Sequence, residues 1–392
     1  MTFVAILTGH AGRLALFYGA VFAVLGILAP FWPVWLAGRG LDAEEIGIVL
    51  AMVLAVRVFA NPAIAHIADI MGERRRPIIF LAGASIVAFA LYIVADGFWA
   101  ILVVTALFSA ARAGVLPLGE SLVMMTTTKH RIDYGRVRLW GSLTFIGGAA
   151  LTGELLIGRS AEVVYWLSLG ALVIAFVACM ALPDVRPPVA DRSHMPLKAL
   201  ATQPLFVLFM ISTALVQGGH AVYYAFSTLH WQAAGHSSFV IGLLWAEGVV
   251  AEIILFAISG RVVAAIGPAG LIALGGLAGA LRWVVTAETT DLTSLVVVQA
   301  LHAFTFGATH LGSMYFITRS VPPALTGTAQ SLYAAVVGGI GMGLATLASG
   351  HLYDSYSGGA FHVMAVMCLV GAILALVLRR LWQGQEIVGA AP

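Results

Sequence analysis

The sequence predicts an all-α integral membrane protein, with twelve transmembrane helices forming two six-helix pseudo-symmetric bundles. Three observations predict it: an extreme composition, a series of apolar runs of bilayer length, and one long polar connection between the sixth and seventh. Of 392 residues, 61% are hydrophobic and only 10% charged, and the mean hydropathy is +0.99. A soluble domain carries about 25% charged residues. This chain needs lipid as part of its solvent.

About twenty apolar residues cross the hydrocarbon core. Such runs fall near 14–37, 45–68, 77–95, 98–127, 137–157 and 162–182, then near 204–231, 239–260, 269–287, 292–317, 327–350 and 359–379. The first run is too long for the apolar part of a cleavable signal, so it is expected to stay as an anchor. Most connections are short, which makes neighbouring helices antiparallel. The exception, 183–203 (PDVRPPVADRSHMPLKALATQ), separates bundles over 1–182 and 204–392.

Orientation follows from the basic residues. With a cytoplasmic N-terminus, Arg13, Arg74–Arg76, Lys129, Arg131, Arg136, Arg186, Arg192, Lys198, Arg261, Arg319, Arg379 and Arg380 lie inside, and only Arg39 and Arg159 outside. That bias puts both termini in the cytoplasm. No basic run is long enough for nucleic acid. Cys179 and Cys368 fall inside apolar runs and read as buried small residues, neither a disulfide nor a metal site.

The halves resemble one another. Trp35, Gly38 and Ile46-Gly47 open the second span; Trp231, Gly235 and Ile241-Gly242 open the eighth. Eleven residues after each Ile stand Arg57 and Glu252. Such a repeat points to two stacked copies of one helical unit.

Ionisable groups inside a span are expensive and mark function by default. Arg57, Arg112, Arg138 and Arg282 face Glu120, Glu154, Glu247 and Glu252, and the equal numbers suggest mutual pairing in an aqueous cavity between the halves. Arg57 and Glu154 also read as structural partners of neighbouring helices, and Glu154 as reaching the outer interface. His220, His302 and His310 lie in spans seven and ten; a membrane histidine is commonly a hydrogen-bonded packing residue. Pro30 and Pro33 are expected to break the outer part of helix one. Trp35 and Trp231 read as interface-belt residues, whereas Trp32 and the span-seven aromatics Tyr223, Tyr224 and Phe226 suit the lining of a cavity for a flat ring. The glycines over 338–350 allow close packing and sliding.

Several segments resemble a known family. Pro30-Phe31-Trp32-Pro33-Val34-Trp35-Leu36 resembles the first helix of the lactose permease group of proton symporters, within the major facilitator superfamily. Asp133-Tyr134-Gly135-Arg136-Val137-Arg138-Leu139-Trp140-Gly141 resembles that group's loop into helix five. A nearer likeness is to bacterial 3-phenylpropionate permeases, through Asp133 to Ser142, Gln217 to Phe226 and His230 to Gly235. The 65–76 connection is similar to the superfamily's loop signature, with Ala65 for its first Gly and Ile70 for the Arg after Asp69.

The resemblance implies roles. Glu120 and Arg138 occupy substrate-binding positions; from the residues themselves, Arg112 or Arg57 could also hold a carboxylate, with Phe145, Trp32 and Tyr224 as further candidates. Arg282 and His302 occupy the proton-coupling cluster, with Glu252 or Glu247 near its helix-eight acid and His310 as a further candidate. Asp69 and Arg74 would gate the cytoplasmic side, unless the loop is only a basic cytoplasmic connection. The family's coupling Glu one turn after the His is Thr305 here, and its stacking Trp in helix five is Phe145. The permeases' lysines of helices ten and eleven and the acids of helix seven are missing together, as the cost of an unpaired buried charge demands.

The implied function is proton-coupled symport of a small organic solute by alternating access, an aromatic carboxylate such as 3-phenylpropionate, in a bacterial inner membrane. A neutral saccharide or nucleoside, and an efflux direction, are the alternatives. No HExxH, Walker loop, nucleophile elbow or metal-ligand cluster suggests an enzyme, and no soluble signalling domain suggests a sensor. No cofactor is implied beyond the proton gradient. The expected partners are a small-molecule substrate, protons and the bilayer, with the chain acting as a monomer and binding no nucleic acid.

Overall fold

The computed structural model describes residues 9–185, 200–322 and 325–387. The predicted central connection over 183–203 lies largely outside them, and Arg186, Arg192 and Lys198 lie wholly outside. Every regular element among the described residues is helical.

Helix α1 spans His10–Gly38, α2 Ala43–Met71, α3 Arg75–Ile93, α4 Gly97–His130, α5 Tyr134–Leu156 and α6 Glu162–Met180. Helix α7 follows at Pro204–Ala233, α8 at Ser238–Ala257, α9 at Pro268–Glu288 and α10 at Leu292–Ser320. The last apolar stretch, Thr326–Leu381, is 56 residues long. At 1.5 Å per residue this is about 84 Å, far beyond a hydrocarbon core of about 30 Å. It turns at Ser357–Gly359, where Ser357 takes a φ of +47°. We therefore count α11, ending at Tyr356, and α12, Ala360–Leu381. A short helix, Ser259–Ile266, follows α8; the apolar run predicted to 260 ends three residues earlier, at Ala257.

Acidic side chains start several helices. Asp42 and Glu45 form a reciprocal capping box on α2, with Glu45 N–H donating to Asp42 Oδ1 at 2.9 Å. Asp133 caps α5 by accepting from Arg136 N–H at 3.2 Å, and Asp291 caps α10 by accepting from Ser294 N–H at 3.0 Å.

The chain contacts divide into two compact units: Met1–Asp191 with Gly235–Ala246, and Arg192–Ala234 with Glu247–Pro392. In the first, α1 packs mainly on α5 and α6. Glycine permits the approach: a Cβ on Gly26 would lie 2.3 Å from the Phe145 carbonyl oxygen. The start of α8 meets α5 the same way, Gly242 against the Ala149 carbonyl and Gly153 against that of Ser238. In the second unit α9 and α7 close on α12, with Gly276 beneath the Cys368 carbonyl. Both cysteines are free and buried.

Two expectations are corrected. Pro30 and Pro33 sit inside a continuous α1 rather than breaking it. A fixed φ near −65° suits a helix, and neighbouring helices in a membrane bundle hold such segments straight. Trp35 and Trp231 are not belt residues: they are 0% and 1% exposed. Trp35 stacks on Trp32 at 4.4 Å in a cluster with Tyr92 and Tyr165, so dispersion and ring contacts, rather than lipid headgroups, fix it.

Gly26→Ala should force α1 off α5 and cost about 1–3 kcal/mol, read as a lower melting temperature of the purified protein. Gly147→Ala, whose added Cβ meets nothing within 4 Å, should leave it unchanged.

Candidate functional site: polar clusters within each unit

In the first unit the cap at Asp133 starts α5 so that Tyr134 and Arg138, four residues apart, share one face. The Tyr134 hydroxyl donates to Glu120 on α4. The Tyr18 hydroxyl approaches Tyr134 at 3.5 Å, a long contact. The Arg138 guanidinium lies over the Phe22 ring at 4.0 Å and near the Tyr18 ring at 5.4 Å. Its Nη1 is buried without an acceptor. A half-buried cation held on aromatic faces is therefore left with donors to give.

Phe145, also on α5, backs onto α1 at Gly26. Trp32 is packed among Trp35, Phe89 and Tyr92. Arg112 lines a different feature, a cavity of about 220 Å³ that it shares with Arg57 and Asn61.

Asp69 and Arg74 meet across the α2–α3 turn at 2.5 Å. Gly72, with φ +66°, reverses the chain there. Arg75 Nη2 donates to the Met180 carbonyl at 2.7 Å, tying this turn to the end of α6.

In the second unit the polar residues converge on Arg282, which is fully buried on α9. Its Nη1 donates to His302 Nδ1 and to Thr305 Oγ1, both at 3.1 Å, and its Nη2 donates to Gln299 Oε1 at 2.5 Å. Tyr223 and Trp283 rings flank the guanidinium at 4.7 and 4.4 Å. Helix α10 reaches this geometry by leaving regular α-helix: Leu292–Gln299 ends, and a π-helical segment, Ala303–Ala308, begins just after His302. Such segments recur at functional sites because they re-aim side chains.

The donors fix the tautomers. Arginine stays protonated and only donates, so His302 Nδ1 is the acceptor and its ring is neutral. His220 Nδ1 faces the Gln217 carbonyl at 3.1 Å and must carry the hydrogen. Its Nε2 then accepts from Thr305, 3.0 Å away. His302, Phe306 and His310 stack in sequence along α10, at 5.5 and 6.1 Å. Tyr224 stacks on His220 at 5.5 Å. Glu247 stands in the electrostatic field of Arg282, and the Glu252 side chain lies against the Gly307 position of α10.

The expected pairing of four arginines with four acids is not what the structure holds. Among the described residues none of Arg57, Arg112, Arg138 and Arg282 makes an ion pair with an acid. The Arg282 terminal nitrogens donate to neutral acceptors while its Nε is buried without one, Glu120 is engaged by Tyr134, and Glu154 is exposed. Tyr134, Tyr18, Phe22, Gln299 and Asn61 join these clusters without being candidates on sequence grounds. Two carried a signal: Tyr134 precedes Arg138 by one turn, and Gln299 precedes His302 by three residues on one face of an apolar span.

Residues 12–364 match the model of the MFS_1 like family. The chain belongs to that family. It is 33% identical over 371 residues to the probable 3-phenylpropionic acid transporter of Escherichia coli K12, covering 92% of this chain and 96% of that one. It is 26% identical to the maltose permease of Geobacillus stearothermophilus, covering 93% of each. The fold matches the crystal structure of the nucleoside transporter NupG, with a TM-score of 0.80 at 17% identity over 96% of this chain and 99% of that one. As an MFS transporter the chain binds and passes a small molecule and is not an enzyme.

Thr305→Val removes the acceptor shared by Arg282 and the donor to His220. It should cost about 1–3 kcal/mol, measured as a fall in melting temperature, whereas Thr305→Ser should retain most of the stability.

Proposed function

We propose that this transporter is a proton-coupled symporter of a small aromatic monocarboxylate such as 3-phenylpropionate, working by alternating access in a bacterial inner membrane with both termini cytoplasmic. One observation carries the reading: Arg138 offers unmatched guanidinium donors while lying on the Phe22 and Tyr18 rings. A guanidinium binds a carboxylate through two parallel hydrogen bonds, and the adjacent rings suit the aromatic end. Glu120 makes no ion pair with Arg138 among the described residues, and its Oε1 accepts from Tyr134. The name of the 33% identical relative points to the same acid.

Proton coupling rests on the second unit. His302 Nδ1 accepts from Arg282 in the arrangement described. A proton arriving at that nitrogen removes the acceptor and places two cations face to face, so protonation and the Arg282 contact exclude each other. That exclusion makes His302 a two-state element that a proton biases. Glu247, in the field of Arg282, and Glu252, beside α10 at Gly307, are the alternative proton carriers in this reading. At the turn between α2 and α3, the Asp69–Arg74 pair would act as the cytoplasmic gate.

A second reading, a neutral saccharide or nucleoside, is favoured by the maltose permease relative and by the NupG likeness. Both readings are tested in proteoliposomes with an imposed inward proton gradient and labelled 3-phenylpropionate. Accumulation is expected, collapse by a protonophore is expected, and Arg138→Gln should lower uptake at least 10-fold, given the roughly 1.5–3 kcal/mol of a charged hydrogen bond. Uptake indifferent to the protonophore sinks the coupling. Competition by maltose or uridine without competition by aromatic acids favours the second reading.

His302→Gln cannot take up a proton. It should still pass substrate down its own gradient while losing the response to an imposed pH gradient, measured in the same vesicles.

A further inference from the structure

The 220 Å³ cavity of the first unit is a separate feature from the Arg138 cluster. It is lined by α1, α2, α3, α4 and α6, with apolar walls that include Val21, Leu116 and Leu172. Its polar side chains are Arg57 and Asn61 on α2, Arg112 on α4, and Ser85 on α3, whose hydroxyl donates to the Ala82 carbonyl. The two guanidiniums are close enough to repel one another. Neither makes a hydrogen bond or ion pair among the described residues. The Asn61 Oδ1 is buried and without a donor. Glu120, the acid on α4 of this unit, lies eight residues beyond Arg112, about 12 Å along the helix, and is bonded to Tyr134.

Two like charges within a membrane bundle, with no acid paired to them among the described residues, favour an anion. The cavity is several times larger than one water's share of the liquid, about 30 Å³. Its apolar walls suit a hydrocarbon group rather than a hydrated ion. A carboxylate has lone pairs enough to accept from two guanidiniums at once, and an amide can turn its N–H toward the same group.

We propose that Arg57, Arg112 and Asn61 form a second binding site, internal to the first unit, for an apolar organic monocarboxylate. The site stands whether or not an aromatic acid is the transported cargo, because its argument uses neither Arg138 nor the second unit.

Equilibrium binding of labelled 3-phenylpropionate and of labelled octanoate to the full-length purified protein tests this, with 3-phenylpropionamide, chloride and phosphate as competitors. The expected result is a monocarboxylate site that survives Arg138→Gln and weakens at least 10-fold in both Arg57→Gln and Arg112→Gln, with the amide and inorganic anions failing to compete. Where the aromatic acid is also the cargo, wild type should bind two equivalents and each class of variant one. Octanoate binding that depends on Arg57 and Arg112, without any uptake of aromatic acids, defeats the proposed cargo and leaves this site intact. Binding in wild type that Arg57→Gln and Arg112→Gln leave unchanged overturns the site, as does competition by chloride alone at equal concentration. The variants' folding is checked by their melting temperatures without ligand, which should equal or exceed that of wild type because a repulsion is removed; should either unfold, the competitor series on wild type decides.

Discussion

A guanidinium cannot shed its proton to escape a low-dielectric environment, and this constraint organises the polar interior of the molecule. An arginine in a span must be met by acceptors, aromatic faces or an anion. Arg282 is met by acceptors, Arg138 by rings, and Arg57 and Arg112 by a cavity. The solution at Arg282 dictates much else. Three acceptors from α10 reach one group on α9, and the third of them, Thr305, lies in the π-helical segment after His302. This requires the helices to touch, and a Cβ on Gly275 would lie only 2.0 Å from Thr309 Oγ1. Backbone irregularity and small residues here follow from a single fixed charge.

Hydropathy made the fold legible. Each span needs a run of apolar residues because lipid supplies no hydrogen bonds to an open backbone, so the run is written directly in the chain. The predicted fourth span at 98–127 therefore corresponds to Gly97–His130, and the sixth at 162–182 to Glu162–Met180. What hydropathy does not carry is the change of geometry inside a span. The pause at Gly114 in α4 and the π segments of α10 and α11 leave composition unaltered.

The site was legible as residue types and illegible as partnerships. Arg282, His302 and Thr305 were all singled out, yet the three-way hydrogen bonding depends on side-chain directions that no spacing between α9 and α10 encodes. Counting four arginines against four acids suggested ion pairs; charge balance is a property of the whole chain, whereas pairing requires contact within about 4 Å. Pro30 and Pro33 misled for a related reason. Their local preference is real, but the aromatic cluster around Trp32 and Trp35 outweighs it.

The two units divide their chemistry unequally. In the first, Arg57 and Arg112 make no hydrogen bond or ion pair among the described residues and Arg138 Nη1 is buried without an acceptor; in the second, both terminal nitrogens of Arg282 are matched by neutral partners and only its Nε is left without one. An anion entering the second unit would have to displace His302 or Gln299 from Arg282, while in the first unit it displaces nothing. Conversely, the histidines with hydrogen-bond-fixed tautomers, His220 and His302, are in the second unit. Thr305 sharpens this difference. A carboxylate there would neutralise Arg282 and hold it permanently, whereas a hydroxyl leaves the charge in place and the His302 nitrogen as the contact that a proton removes. Under the proposed symport, the acid's negative charge and the proton then find separate fixed partners, and the pair crosses without net charge. The membrane potential does no work on such a pair, which leaves the pH gradient and the acid's own gradient as the driving forces.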